Sequence, residues 1–242
     1  MAIPRSVHAQ LVERLIFNFR FTPEALDQIL PVTWLKPQVC NGWSVVSFCI
    51  LDLERVMISP LPGAFGFRTT SCAYRCGVVD TSVNPSANSV YITDRQTDLP
   101  LIARLAPWLF LDTILMVAPK VTHSGNEMDV AVDYLDGQSM FHAKASIVSQ
   151  WKSEVFPTLA DFGDFIKGGV SSYTPSVYGD RLTRLDLQKD EPQYQALAAD
   201  VDMARLDGVW RDAGVILDSA VLAAGRGNYK WTYRGLKPYT ER

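Results

Sequence analysis

The 242-residue sequence predicts a single α+β domain over residues 1–242, a mostly antiparallel sheet that curls towards a barrel and carries a few short helices. Three observations support this fold class. Apolar and polar side chains alternate with the period of a strand along much of the chain, most clearly over residues 127–134. Helical patterns are short and widely spaced. The β-α-β alternation that builds a parallel sheet does not recur, and no repeat or low-complexity linker divides the chain.

The N-terminal half is predicted to hold one short helix between strands. Thr22 is suited to cap this helix and Pro23 to occupy its first turn, and the helix ends before Pro31. A break in the chain is expected at Pro60, Pro62 and Gly63. The strands predicted in this half cover residues 15–21, 43–57, 64–74 and 89–93.

The C-terminal half has two further predicted helices. Asp98 is expected to cap a helix over residues 99–110, and Thr158 a helix over residues 159–166. Residues 193–205 fit either a strand or a helix. The turn of a closing hairpin is predicted at Gly225, Arg226 and Gly227. The strands predicted in this half cover residues 111–118, 127–134, 138–148, 181–187, 215–223 and 228–233. The apolar stripe of the 99–110 helix is expected to consist of Leu101, Leu105 and Trp108.

The overall composition excludes several classes of protein. Hydrophobic residues make up 48% of the chain and charged residues 20%, which is typical of a folded globular protein and not of a disordered one. The formal net charge is −3 and no basic cluster occurs, so nucleic-acid binding is not expected. No segment is long and apolar enough for a membrane helix, and charged residues interrupt the N-terminal region where a secretion signal would lie. A cytoplasmic location is therefore expected.

The cysteines and histidines predict neither disulfides nor a metal site. Cys72 and Cys76 lie on one predicted strand, which separates their Cα atoms by about 13 Å, whereas a disulfide spans at most about 7 Å. They and the other two cysteines, Cys40 and Cys49, are expected to be buried thiols. The three histidines are scattered, so no zinc site is expected. No phosphate-binding loop or dinucleotide fingerprint occurs, and no cofactor is predicted.

Two arginines are candidate ligand-binding residues because they lie in sparsely charged sequence. Between residues 56 and 93 the only charged residues are Arg68, Arg75 and Asp80, and Arg104 lies among apolar residues. A guanidinium with apolar neighbours needs a carboxylate, backbone carbonyls or an anionic ligand, since unpaired burial is costly. A structural ion pair and a bound carboxylate both meet this need, and the second alternative makes Arg68 and Arg104 ligand-binding candidates.

A lysine in the strand over residues 138–148 is a weak catalytic candidate. The period of two places His142, Lys144 and Ser146 on one face of this strand. Small neighbours favour desolvation of Lys144, which would lower its pKa towards catalytic use. The alternative is that this face is the solvated side of an antiparallel strand.

The order of these features resembles the acetoacetate decarboxylase-like superfamily. More closely, the sequence is similar to the uncharacterised bacterial group called domain of unknown function 2071. The resemblance rests on Phe67-Arg68-Thr69 in a central strand, and then on Ala103-Arg104 followed by Leu109 and Met116. It implies a β-cone or barrel of antiparallel strands around an interior pocket.

The chain departs from the decarboxylases at the residue that performs their chemistry. Those enzymes carry a Gly-aromatic-Pro-Lys-Lys motif, in which one lysine forms a Schiff base with the keto acid. Counting from Arg104, the lysine pair corresponds to Leu111 and Asp112, or to Asp112 and Thr113 after a shift of one residue. Neither register supplies an amine, so acetoacetate decarboxylation by the lysine route is not expected.

Three functions remain open on this basis. The first is binding of a small, carboxylate-bearing molecule in an interior pocket, with Arg68 and Arg104 as anchors. The second is a lyase or hydro-lyase acting on a keto acid, in which Lys144 or Lys120 replaces the missing lysine, or Asp112 supplies acid–base chemistry. The third is a structural or interaction role without catalysis. Six tryptophans and the large apolar content also predict homo-oligomerisation.

Overall fold

The computed structural model describes residues 5–59, 66–190 and 193–239. Its strands are β1 (Ser6–Phe21), β2 (Leu35–Pro37), β3 (Ser44–Ser59), β4 (Phe67–Asp80), β5 (Ala87–Thr97), β6 (Ile114–Ser124), β7 (Glu127–Tyr134), β8 (Ser139–Ile147), β9 (Ser171–Pro175), β10 (Arg181–Lys189), β11 (Gln193–Val201) and β12 (Ile216–Pro238). The helices are α1 (Pro23–Ile29), α2 (Pro100–Leu109), α3 (Leu159–Gly168), a 3-10 turn at Met203–Arg205, and α4 (Gly208–Asp212).

The twelve strands form one sheet whose pairings close on themselves. One closed circuit runs through β12, β1, β3, β4, β5, β6, β7, β8 and β11 and returns to β12. A second circuit shares β12, β1, β3, β4 and β5 and returns through β9 and β10. Two branch points make this possible: β5 pairs with both β6 and β9, and β12 pairs with both β11 and β10. The five strands common to both circuits are called the shared wall below.

The two faces of the shared wall bury different side chains. On the face that packs against β7, β8 and β11, Phe17, Phe48 and Tyr74 meet Phe141 and Trp210 in one aromatic cluster, with ring centroids as close as 4.4 Å for Phe48 and Phe141. We call this side the aromatic face. Because successive side chains of a strand point to opposite sides, the residues between them form the other face.

The opposite face carries three buried or half-buried arginines: Arg14 of β1, Arg75 of β4 and Arg95 of β5. We call it the arginine face. It is covered by α2, α3, β10 and the segment around Phe156. The shared wall thus separates an aromatic core from a more polar interior.

Local sequence signals account for several elements. Thr22 accepts a hydrogen bond from Ala25 N at the start of α1, and Thr158 and Asp161 form a capping box at the start of α3. Both caps confirm the prediction, and β7 has the predicted bounds. The undecided segment is a strand, β11, followed by the 3-10 turn. The predicted break at Pro60, Pro62 and Gly63 lies outside the described residues.

Two local predictions were wrong. Asp98 does not cap α2, whose N-cap is Leu99; the Asp98 carboxylate instead accepts hydrogen bonds from the Thr69 hydroxyl and Thr70 N. The expected hairpin is also absent, because β12 continues through it. Gly225, with φ of 102°, and Arg226 form a bulge opposite β1, at the point where β12 changes its partner from β11 to β10.

The cysteines are free thiols, as predicted; three are buried and Cys40 is half-buried. In the ranges that the structure describes, no helix has the length and apolar character needed to cross a bilayer. In the same ranges no group of three or more His, Cys, Asp or Glu side chains is arranged to hold a metal ion.

Candidate functional site

A cavity of about 110 Å³ lies on the arginine face, between the shared wall and α2. We call it the apolar cavity, because most of its wall is hydrocarbon. Leu51 and Leu53 of β3 form one side, and Ile102 and Leu105 of α2 form the roof. The remaining apolar lining includes Val7, Val56, Ile58, Ala106, Phe110, Ile114, Leu185 and Trp231. Its polar lining includes Thr69, Ser71, Arg75, Arg95 and Asp112.

Helix α2 is held over the cavity by a small polar network at its start. The Thr69 hydroxyl lies 2.8 Å from that of Thr97 and donates to Asp98 at 2.7 Å, which joins β4 to the end of β5. The Thr97 hydroxyl also accepts a hydrogen bond from Leu99 N. These contacts fix the turn from β5 into α2 and hence the roof of the cavity.

The side of α2 that faces the cavity differs from the predicted stripe. Ile102, Leu105 and Ala106 line the cavity, whereas Leu101 and Trp108 are exposed. Leu101 and Trp108 share the helical period of the buried residues but lie on an adjacent stripe, so periodicity alone did not select the buried side.

Arg75 is the cation most directly available to a ligand. It lies in the middle of β4, lines the apolar cavity and also lines a second, smaller cavity beside it. Among the described residues, no hydrogen-bond acceptor contacts its buried Nε, and no carboxylate forms an ion pair with it. Burial lowers the pKa of Arg75 to about 10, and repulsion by Arg14 and Arg95 acts in the same direction. The group therefore stays protonated at neutral pH, as a buried cation without a charge partner in the described chain.

Arg95 is also buried but has partners. Its Nε lies 3.0 Å from Asp112 Oδ2 and 3.2 Å from the Thr174 hydroxyl, and its Nη2 donates to the Ser172 hydroxyl at 3.1 Å. Burial lowers the pKa of Arg95, and the attraction of Asp112 opposes this shift. Arg95 is thus held against β9 and presents an ion pair to the cavity, whereas Arg75 presents an unpaired charge.

Asp112 is the acid of the site. Its side chain is 2% exposed, and its Oδ1 has no hydrogen-bond partner among the described residues. Burial raises the pKa of Asp112 to about 6, although the neighbouring Arg95 lowers it. For both members of the pair, loss of hydration therefore outweighs their mutual attraction. A carboxyl group that titrates near neutral pH is suited to donate or accept a proton.

The turn that carries Asp112 is held in an unusual conformation. Leu111 has φ of 55°, in the left-handed region that non-glycine residues seldom adopt. The Thr183 hydroxyl of β10 donates to the carbonyls of Phe110 and Leu111, and Val177 N donates to the Leu111 carbonyl. These contacts from the neighbouring strand stabilise the turn and point Asp112 inwards.

The two arginines predicted from sequence lie elsewhere. Arg68 is exposed over 71% of its side chain and forms a two-pronged contact with Asp52, at 3.1 Å and 2.6 Å. Arg104 lies on the exposed side of α2. Neither lines the apolar cavity. Arg68 therefore forms a structural ion pair, which was one of the two alternatives. The arginines that line the cavity, Arg75 and Arg95, were not selected from the sequence.

The lysine candidates also lie outside the cavity. Lys144 is exposed on the outer side of β8, opposite Asp129 and Asp200 in the strand register, and it lines a wide outer groove. Lys120 is exposed on β6. Of the three residues considered for catalysis, only Asp112 lines the cavity. No lysine is among the described residues that line it.

A signal for Arg75 was present in the sequence. It is one of three charges in a long uncharged stretch, and its neighbours on the same strand face, Ser71, Ala73 and Gly77, are small. Small residues around a long cation leave room beside the sheet, which is the environment of a cavity. Arg95 and its pairing with Asp112 gave no comparable signal, since the two residues are brought together only by the turn after α2.

Comparison with known proteins supports the fold. No family model matches the sequence, and no curated protein matches it. Among solved structures, the chain is similar to acetoacetate decarboxylase from Legionella pneumophila, with 13% identity, a TM-score of 0.64, and coverage of 99% of this chain and 90% of that one. It is also similar to an acetoacetate decarboxylase-like enzyme from Sphingomonas wittichii RW1, with 11% identity, a TM-score of 0.61, and coverage of 97% and 92%.

A third similar structure is the enduracididine biosynthesis enzyme MppR complexed with pyruvate, with 13% identity, a TM-score of 0.60, and coverage of 99% of this chain and 92% of that one. The chain therefore has the acetoacetate decarboxylase-like fold, a mostly antiparallel sheet with a few short helices, as the sequence predicted. At these identities the likeness concerns the fold, so function must be argued from the cavity.

Proposed function

We propose that the protein binds a small organic acid in the apolar cavity and that Arg75 anchors the carboxylate. The observation that carries this proposal is the half-buried side chain of Arg75 at a hydrocarbon-lined cavity, with no carboxylate partner among the described residues. A mostly buried unpaired charge is costly, and a carboxylate ligand supplies the opposite charge. The planar guanidinium also matches a carboxylate in two-pronged geometry.

The size of the cavity limits the ligand to a few carbon atoms. An apolar cavity of about 150 Å³ holds benzene. The apolar cavity is somewhat smaller, at about 110 Å³, so an acid of three to four carbon atoms is the expected class. Pyruvate, which MppR binds, belongs to that class. The leucine and isoleucine walls favour a ligand with one charged end and an apolar remainder.

Titration calorimetry with a series of short acids tests the proposal. Pyruvate and butyrate are expected to bind, whereas butyramide, which has butyrate's shape without its charge, is expected not to. Arg75→Met should lower the acid affinity at least tenfold. Arg68→Met and Arg104→Met are matched controls that remove exposed arginines and should leave it unchanged.

Either of two results would contradict this assignment. If no short acid binds, the cavity is not a carboxylate site. If Arg68→Met or Arg104→Met abolishes binding while Arg75→Met does not, the anchor lies at the surface arginines that the sequence indicated.

A second function, catalysis on a keto acid, is favoured by one specific observation. Asp112 occupies the segment where the resemblance places the decarboxylase lysine pair, and its carboxyl group lines the cavity with a pKa of about 6. It is therefore placed to exchange a proton with a bound acid. The measurement is loss of the C3 protons of pyruvate in D₂O, followed by NMR. Asp112→Asn should abolish enzyme-dependent exchange while retaining acid binding; exchange that persists in this variant would exclude Asp112 as the base.

The lysine-dependent version of this function is tested separately. Borohydride reduction in the presence of pyruvate is expected to leave the mass of the protein unchanged, because the described cavity lining contains no lysine. A reduced adduct on Lys144 or Lys120 would establish imine chemistry instead. Membership of the group called domain of unknown function 2071, a cytoplasmic location and homo-oligomerisation remain parts of the proposal that rest on the sequence.

A further inference from the structure

A second cavity, of about 30 Å³, lies on the arginine face beside the apolar cavity. We call it the small cavity. Arg75 lines both cavities, and Arg14 and Cys49 complete one side of the small one. Helix α3 covers it closely: a Cβ atom added at Gly77 would lie 2.7 Å from the Phe165 ring. A cavity needs only about 10–15 Å³ of free volume to hold a water molecule, so this one accommodates a particle of about that size.

The charged side chains of the described chain that line the small cavity have one sign. Arg14, Arg75 and Lys189 line it, and no aspartate or glutamate of the described chain does. Arg14 is 1% exposed, and its Nη2 donates to Cys49 Sγ at 3.3 Å. The Nε atoms of Arg14 and Arg75 are both buried and have no acceptor among the described residues. Two guanidinium groups therefore border a one-particle space that no carboxylate of the described chain borders.

The serine hydroxyls that line the small cavity are neutral and do not offset the charge of the arginines. The Ser47 hydroxyl donates to Asn18 Oδ1, and the Ser89 hydroxyl donates to the carbonyl of Ala87. A water molecule would accept from the arginines but would leave both positive charges uncompensated. A monovalent anion accepts hydrogen bonds as water does and also offsets the charge in the same position.

We propose that the small cavity is a binding site for one small inorganic monovalent anion, of the size of chloride or bromide, held between Arg14 and Arg75. This site is separate from the carboxylate site and does not depend on it, although the two share Arg75. The bound anion stabilises the buried arginines of the shared wall in every state of the apolar cavity.

Bromide located by anomalous scattering in crystals of the protein tests the site directly. The expected result is an anomalous peak in the small cavity, within hydrogen-bond distance of both guanidinium groups. The proposal is overturned if bromide binds only at the protein surface, as an adventitious ion only, and the small cavity holds water or nothing. A peak in the apolar cavity alone would also overturn it.

Thermal melting in sodium chloride and in sodium gluconate at equal ionic strength tests it in solution. Gluconate is too large for the small cavity. Chloride should raise the melting temperature in proportion to the logarithm of its concentration, as mass action requires. Arg14→Met should abolish this response, whereas Arg104→Met, the same substitution at an exposed position, should retain it.

The competing source of negative charge is the Cys49 thiol, since nearby cations favour a thiolate. If the anion proposal is correct, Cys49→Ala retains the chloride response. If the wild-type protein shows no response and Cys49→Ala acquires one, the thiolate supplies the charge and the proposal is wrong. Should Arg14→Met fail to fold, the bromide position in wild-type crystals decides.

Discussion

The aromatic face and the arginine face of the shared wall are made from alternate residues of the same five strands, yet only one of them combines its apolar side chains with arginines and cavities. Tyr74 points into a cluster of rings, and the next residue, Arg75, points into two cavities. The same alternation separates Phe48 from Cys49 on β3. A sheet buried on both sides can thus use one side for packing and the other for a site, without any additional domain.

The two faces also differ in how much they contribute to the stability of the fold. The side chains of the aromatic face are buried and their rings are in contact, so their burial contributes to stability. The arginine face contains cavities, an ion pair in which desolvation outweighs attraction, and a cation with no carboxylate partner in the described chain. We infer that the aromatic face supplies most of the stability of the fold. This stability offsets the cost of the buried charges and cavities on the arginine face.

The largest expected effect is a difference between two adjacent residues of β3. Ile50 lies on the aromatic face and Leu51 lines the apolar cavity, and each is 2% exposed. Ile50→Ala should lower the free energy of unfolding by about 4 kcal/mol, whereas Leu51→Ala, whose side chain already borders a void, should cost only about 2 kcal/mol. Urea denaturation measures both. Equal losses would mean that the two faces are packed equally well.

A smaller effect is expected from the pH dependence of Asp112. Its folded-state pKa of about 6 lies above that of an unfolded aspartate. The unfolded state therefore releases this proton first, and the stability linked to Asp112 is fully present below about pH 4 and is lost as the pH rises through about 6. Relative to Asp112→Asn, the wild-type protein should lose up to about 3 kcal/mol over that interval. Parallel stability curves for the two proteins would show that Asp112 is not desolvated.

The smallest effect is expected at the surface. Arg68→Ala removes an exposed ion pair with Asp52 and should change the free energy of unfolding by less than about 1 kcal/mol. Chemical denaturation of the variant measures this change. A loss of several kcal/mol would indicate that Arg68 supports the arginine face from outside, and the contrast between surface and cavity arginines would then fail.

The sequence predicted the fold class and most elements because strand alternation and helix caps are local signals. Thr22, Thr158 and the 127–134 strand illustrate this. The prediction of a hairpin at Gly225 was wrong for a physical reason. Glycine with positive φ serves a bulge as well as a turn, and only the pairing of β12 with β1 distinguishes the two.

The site was less accessible from sequence. Asp112 was selected through the register of a missing lysine pair, and it lies in the cavity. Both Arg68 and Arg75 occur in the same sparsely charged stretch, and Arg68 was preferred because Phe67-Arg68-Thr69 carries the family resemblance. The period of two cannot say which face of a doubly buried strand meets a cavity. That distinction depends on the second circuit, through β9 and β10, which is a property of the whole topology.

The position of β12 has a consequence for how the chain acquires its structure. This strand closes both circuits, and its partner β1 lies at the opposite end of the described chain, with Thr232 beside Ser6. While the protein is being synthesised, neither enclosure can form until β12 has left the ribosome. Contacts so distant in sequence are formed slowly, and we expect the nascent chain to expose its phenylalanines to chaperones throughout that delay.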